Sequence, residues 1–428
     1  MNTTSNCVHV TDTRPVPTRS GRVWGRRSAT AGFGHRLIGI CLALGLLLVP
    51  WMASRPAAAC EICGQPTLTL ADRIARSEVV VLGKWVSAKS DKQAKPAASL
   101  FDVAEVRGEG ASVAKGDRLS VRGYHAGTPG ALRLLTGNLN DDQSIHWDEP
   151  LEMTEAGWRY ATEAPDPQSP WSDRLAYYLK FLEHGDVILA NDAHAEVVNA
   201  PTMEIANAAR LIGPEKLRGW LSSPKTPAIR RSAYWVLLGY CGTEADERQL
   251  ETLVRAEGKT LRLGLSGLIF GYLQLSGERG LQVVNERYFA TATETDESGE
   301  TGDAIKAVSW CWNNGNGKVS REDLRRALRP LYTHPLHGVT VLQTLARWKD
   351  WELQDELVSK YGTPGFNDST MKKAIAKFLV SATLDQPADN PTNPPPHVIV
   401  ARKHLQQLRQ RDPKVVAAAE RDLLVTDG

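Results

Sequence analysis

Cys60 and Cys63 carry the clearest chemical spacing in this sequence. Two thiols in a Cys-x-x-Cys arrangement can exchange a disulfide or share a metal, because paired thiolates suit both. A redox pair of the thioredoxin type follows a strand and opens a helix; no strand pattern precedes Cys60. No second Cys-x-x-Cys completes a zinc site, and Gly64 stands where covalent haem attachment needs His. The remaining reading is a small local disulfide in an oxidising compartment. Redox exchange and metal handling stay open as the alternative use of this pair.

Other residue types group without completing a motif. Asp141, Asp142, Asp148 and Glu149 crowd His146, where a paired-carboxylate or metal site could be drawn; the Gly- and Asn-rich surroundings favour a solvated turn. His184 and His194 fall on successive expected helices with Glu183, Asp186 and Asp192, but no His-Glu-x-x-His spacing occurs. His334 and His337 flank Pro335 in an expected exposed turn. Cys241 and Cys311 lie among apolar residues and read as small core side chains, a bond between them being the alternative. There is no nucleophile elbow, no phosphate-binding Gly-rich loop and no dinucleotide fingerprint. No catalytic, cofactor-binding or metal-binding residue is assigned, and no cofactor is expected.

Residues 313–324 (NNGNGKVSREDL) resemble an EF-hand calcium loop when Gly317 is set on its invariant glycine. Asn314, Asn316, Ser320 and Asp323 then take the third, fifth, ninth and twelfth positions. The first position, which needs Asp, is Trp312, and asparagines replace carboxylates. A turn with Ser320 capping the next helix is the expectation.

Composition bounds the partners. Of 51 basic and 49 acidic residues, seven Arg and Asp12 lie within 1–59, leaving 44 and 48, a net of −4 beyond that point. Such a balance carries no electrostatic footprint for nucleic acid. Residues 1–59 run from a basic stretch through the apolar Leu37–Val49 to Ala57-Ala58-Ala59, the pattern of a secretory signal peptide with cleavage before Cys60. An uncleaved anchor through 37–52, lipidation at Cys60 and a twin-arginine signal are the alternatives. All place the rest of the chain outside the cytoplasm, secreted or periplasmic, with a membrane tether in the anchored forms.

The elements follow in order. Glu78–Val86, Ser99–Val106, Arg118–Gly123, Ala131–Leu135 and Ile145–Leu151 read as short strands between Gly and Asp turns, within a β-rich domain over 60–160. The expectation is a small barrel or sandwich. A terminal Cys before such a barrel is similar to the netrin-like domains of tissue inhibitors of metalloproteinases, where the cysteine amine and carbonyl bind the target's zinc. That family begins Cys-x-Cys and has further barrel cysteines, both missing here, so inhibition is not carried over. Residues 161–174 read as a linker.

From 175 to 383 the pattern is helical. Pro227 opens a helix with Ala233, Val236, Leu237 and Tyr240 on one face. Gly242 stops it, and Thr243 caps a second helix striped by Leu250, Leu253 and Val254. Similar first helices are expected near Thr260, Gly302, His337 and Ser369, at steps of roughly 33, 42, 35 and 32 residues. Over 186–383 the unit resembles a HEAT-type repeat in its Pro start, length and alternation; an irregular α-helical domain is the other reading. A Pro-rich linker (384–396) and a charged helical cap (397–428) end the chain. The resemblance implies an extended concave surface and hence a protein-binding or scaffold role. A concave row of aromatics drawn from Tyr234, Trp235, Trp310, Trp348 and Trp351 would mark it. The Cys60/Cys63 redox or metal role, and an enzyme with an unrecognised site, are the other functions left open.

Overall fold

A computed structural model of the chain describes residues 60–89, 97–108, 113–257, 262–387 and 393–426. The expected signal peptide and tether at 1–59 lie outside these residues. No helix among the described residues is long and apolar enough to cross a membrane.

The fold is α+β: an antiparallel sheet, then helices to the end of the chain. After a short helix α1 (Leu70–Ala75) come β1 (Val79–Lys89), β2 (Ala98–Arg107), β3 (Arg118–Arg122), β4 (Leu132–Leu139), β5 (Ile145–Trp147) and β6 (Leu151–Glu152). All six join one nearly closed sheet in the order β3-β2-β1-β4-β5, with β6 on β4, so the two-sheet sandwich alternative falls. β1 is central: Val81 stands opposite Val106 of β2 and Leu135 of β4. Its unbroken Val-Val-Val-Leu run follows from burial on both faces. Val79 and Val81 enter a core of the sheet's own with Phe101, Val103, Val121 and Leu135. Val80 and Leu82 join the main helical core. β2 is buried mainly at every second position, as its period-two sequence requires.

The sheet leads into α2 (Glu155–Glu163), α3 (Trp171–Tyr178), α4 (Val187–Asn199), α5 (Thr202–Ile212) and α6 (Pro214–Ser222). The stretch read as a linker, 161–174, is therefore largely the end of α2, a turn, and the start of α3. Thr154 caps α2 by accepting from the Gly157 N–H at 2.9 Å. Helical pairs then succeed one another: α7 (Ala228–Cys241), α8 (Glu244–Arg255), α9 (Leu265–Ser276), α10 (Glu278–Val284), α11 (Glu300–Asn314), α12 (Arg321–Leu328), α13 (Gly338–Arg347), α14 (Gln354–Lys360) and α15 (Ser369–Leu384). The last two are α16 (Pro396–Arg411) and α17 (Pro413–Thr426). First helices begin within five residues of each expected start. Thr243 and Asp246 form a reciprocal capping box on α8. α7 packs between α5 and α9, α9 meets α11, and α15 packs on α13, α16 and α17.

Candidate functional site

The Cys60–Cys63 pair is a disulfide, with Cα atoms 5.2 Å apart, and both residues are fully buried in the main core. The Cys60 N–H donates to the Val198 carbonyl at 3.0 Å, and its own carbonyl accepts from the Cys63 N–H at 2.9 Å. Ser232 Oγ donates to the Ile62 carbonyl at 2.5 Å. The loop is thus stapled to α4 and α7, and the amide and carbonyl that a netrin-like inhibitor turns to zinc are engaged inside this fold. Burial also withholds both sulfurs from an exchanging thiol. Replacing both cysteines by serine is expected to lower unfolding free energy by about 2 kcal/mol, the chain-entropy value for so short a loop. Urea denaturation checks it; a loss near zero would mean that the loop is held by its backbone bonds alone.

Near the loop lie polar side chains of α4 and α7, His194, Asp192 and Arg230, which make no hydrogen bond to one another. His194 packs beside Gly64, and its Nε2 is buried without a hydrogen-bond partner. Burial, then the charge of Arg230, pushes its pKa down to about 4. Two residues earlier on α4, Asp192 accepts from the Leu70 N–H and the Tyr160 hydroxyl, each at 2.7 Å. Burial outweighs those bonds and pushes Asp192 up to about 6. Arg230 donates to Glu183 (3.1 Å) and Asn191 (2.6 Å).

The two shifts oppose each other in stability. His194, depressed in the folded state, contributes stability above pH 6.5 that is lost as pH falls toward 4. Asp192, raised, contributes stability at low pH that is lost as pH rises through 6. The wild-type chain should therefore change little between pH 7 and 5. His194→Gln removes one side of the balance and should gain about 1 kcal/mol on the same acidification. Urea midpoints at the two pH values test this, and a variant that follows the wild-type profile would refute it.

The other sequence candidates are consumed locally. Asp142 accepts from the Ser144 amide (3.0 Å) and hydroxyl (2.5 Å), and Asp148 from the Thr136 hydroxyl (2.8 Å). His146 sits on β5 opposite Asn138. In the EF-hand-like stretch, the Asn316 side chain donates to the Gln274 carbonyl at 2.7 Å and Ser320 caps α12. Trp312 belongs to α11 and stacks on Trp348, ring centres 4.4 Å apart. His184 Nδ1 accepts from the Asp186 N–H at 3.0 Å. His334 corrects the expected exposed turn: it is buried, with Nε2 2.8 Å from the Thr293 carbonyl. His337 Nε2 lies 2.8 Å from Asp296 Oδ2. Cys241 and Cys311 are both free thiols, which settles against a bond between them. The row of exposed aromatics is not there either: Tyr234, Trp310 and Trp348 are buried, and Trp235 and Trp351 half-buried.

What the fold does provide is a groove of about 570 Å³ between α13 and α15. Leu342, Ala346, Ala374 and Phe378 contribute apolar lining, with Trp351 alongside. The Trp351 ring meets Phe378 edge-on at 5.3 Å and stacks on His397 at 5.9 Å. Its Nε1 donates to Asp385 Oδ2 at 2.7 Å, while Lys349 Nζ reaches Asp385 Oδ1 at 2.5 Å. Burial opposes the Asp385 charge, but these two donors hold its pKa below the ordinary carboxylate range. Lys349 has a left-handed backbone (φ 58°) where the chain turns sharply after α13. That turn is fixed from behind by Arg329, which forks onto buried Asp350 at 2.7 and 2.6 Å. A second groove of about 350 Å³ shares Lys349 and Trp351 and continues past Arg325, Arg329 and His397. Volume and lining fit recognition of an apolar side chain with a charged neighbour.

Compared with protein-family models, curated proteins and solved structures, the chain matches none.

Proposed function

We propose that the chain is an exported protein-binding module whose helical pairs stack as a HEAT-like solenoid. Export is supported by the leader pattern before Cys60 and by the Cys60–Cys63 disulfide. The solenoid reading is supported by the regular succession of first helices and by their packing on near neighbours, α5 on α7, α7 on α9 and α9 on α11. The groove between α13 and α15 carries the binding role: it is large enough for a peptide's side chains and has an anchoring tryptophan beside it. The redox alternative loses support because both cysteines are fully buried.

Ser381 is half-buried and lines this groove, so Ser381→Trp fills it. With each chain exported by its own leader and crosslinked in place, the wild type should retain a protein partner that Ser381→Trp loses at least about tenfold, as loss of a central contact implies. Lys115→Trp, an exposed change in the β2–β3 connection, should retain it. Equal recovery with Ser381→Trp would overturn the binding reading.

A further inference from the structure

Resting on the binding reading, we infer that the partner segment seated between α13 and α15 is acidic, with carboxylate side chains flanking an apolar one. Arg347, Lys349 and Lys377 line the groove and Lys373 stands next to Lys377, four cations against two carboxylates, Asp385 in the lining and Asp422 shared by the two lysines. This local excess of positive charge belongs to a chain that is net acidic after residue 59, with 44 basic and 48 acidic residues. It is therefore a local feature and not a share of a general basic character.

The cations differ in availability. Arg347 is exposed, and among the described residues its guanidinium bonds only to Thr344 Oγ1, at 3.2 Å. It faces no carboxylate there. Lys349 is 63% exposed in its pair with Asp385, and Lys377 lies 2.6 Å from Asp422. Asp385 is only 20% exposed and also accepts from Trp351 Nε1, so an incoming carboxylate joins it on the open side of Lys349 and pairs directly with Arg347. The apolar lining places a hydrophobic side chain between these cations, against Phe378 and beside Trp351. α13 has ten residues, about 15 Å of axis, which matches four or five extended residues or about three helical turns of a partner. An acyl chain with an anionic head shares the charge but not the shape, because this groove is open along its length and would leave the chain wet.

The test uses the full exported chain and a phage-displayed random 12-residue peptide library, with binding then measured by anisotropy on labelled peptides. Enriched peptides should be net acidic with an aromatic or Leu residue. Their affinity should fall at least about tenfold with Arg347→Glu/Lys377→Glu and weaken as salt rises. An unchanged melting temperature in the double variant keeps folding out of the result. Neutral or basic peptides that Ser381→Trp abolishes would overturn the acidic-partner inference and leave the binding reading standing. Acidic peptides indifferent to the charge reversal would also overturn the inference. If no enriched peptide depends on Ser381, both fall together.

Discussion

Gly271→Leu is expected to cost about 3 kcal/mol or more, and Gly271→Ala about 1–2 kcal/mol, although helix propensity alone favours alanine by about 1 kcal/mol. The reason is how closely α7 and α9 pass. A Cβ at Gly271 would stand 2.3 Å from the Trp235 carbonyl oxygen, and one at Gly267 2.3 Å from that of Ser232. From the other side, a Cβ at Gly239 would stand 2.5 Å from the Gly271 Cα. Each obstacle is backbone, so no rotamer change relieves it; the helices must separate, and the Leu, Ile and Phe side chains packed between the pairs lose contact with them. The control is Gly219→Ala. Gly219 is exposed on α6, where a Cβ meets nothing within 4 Å, so the same change there should stabilise by about 0.5–1 kcal/mol. Urea denaturation of both variants decides it. Opposite signs are the expected outcome, and a stabilised Gly271→Ala would show that the two backbones do not meet as described.

The elements that were legible announce themselves locally. Pro227, Gly242 and Thr243 act within one turn of chain, and β1 betrays its burial on both faces by an unbroken β-branched run. What stayed hidden depends on a partner distant in sequence. Gly267 and Gly271 look like poor helix residues until Trp235 and Ser232 stand against them. α2 is hard to read in the sequence because a nine-residue helix is short on periodicity and leads into a Pro- and Asp-rich stretch. His334 looked exposed beside Pro335, but the carbonyl that fixes it belongs to Thr293. Trp310 and Trp348 gave no sign of which face they turn, because helical spacing marks a stripe and not what covers it. The groove was invisible for the same reason: its lining runs from Leu342 to Leu423, each residue ordinary by itself. Cys60 and Cys63 were readable as a pair, but not as a staple, since Val198 and Ser232 lie far along the chain.

Glu196→Ala should be the most damaging single change near that staple, at about 3–5 kcal/mol. Glu196 is fully buried on α4, and its Oε2 accepts from Arg174 of α3 at 2.5 Å. Arg174 is itself buried, stacks over Trp171 at 3.8 Å and donates to the Pro167 carbonyl at 3.0 Å. Taking away the carboxylate leaves a guanidinium in an apolar surround with one neutral acceptor, and the cost is that stranded charge more than the lost bond. Glu196→Gln should do nearly as much harm, because it restores shape without charge. The double change Arg174→Met/Glu196→Leu should recover most of the loss, since packed apolar side chains replace both charges and neither is stranded. Thermal and urea unfolding of the single and double variants separate the two accounts. If the double variant is as unstable as Glu196→Ala, the pair sustains the packing of α3 on α4 through its shape; recovery would mean that the apolar contacts hold those helices together and that the ion pair only avoids its own penalty.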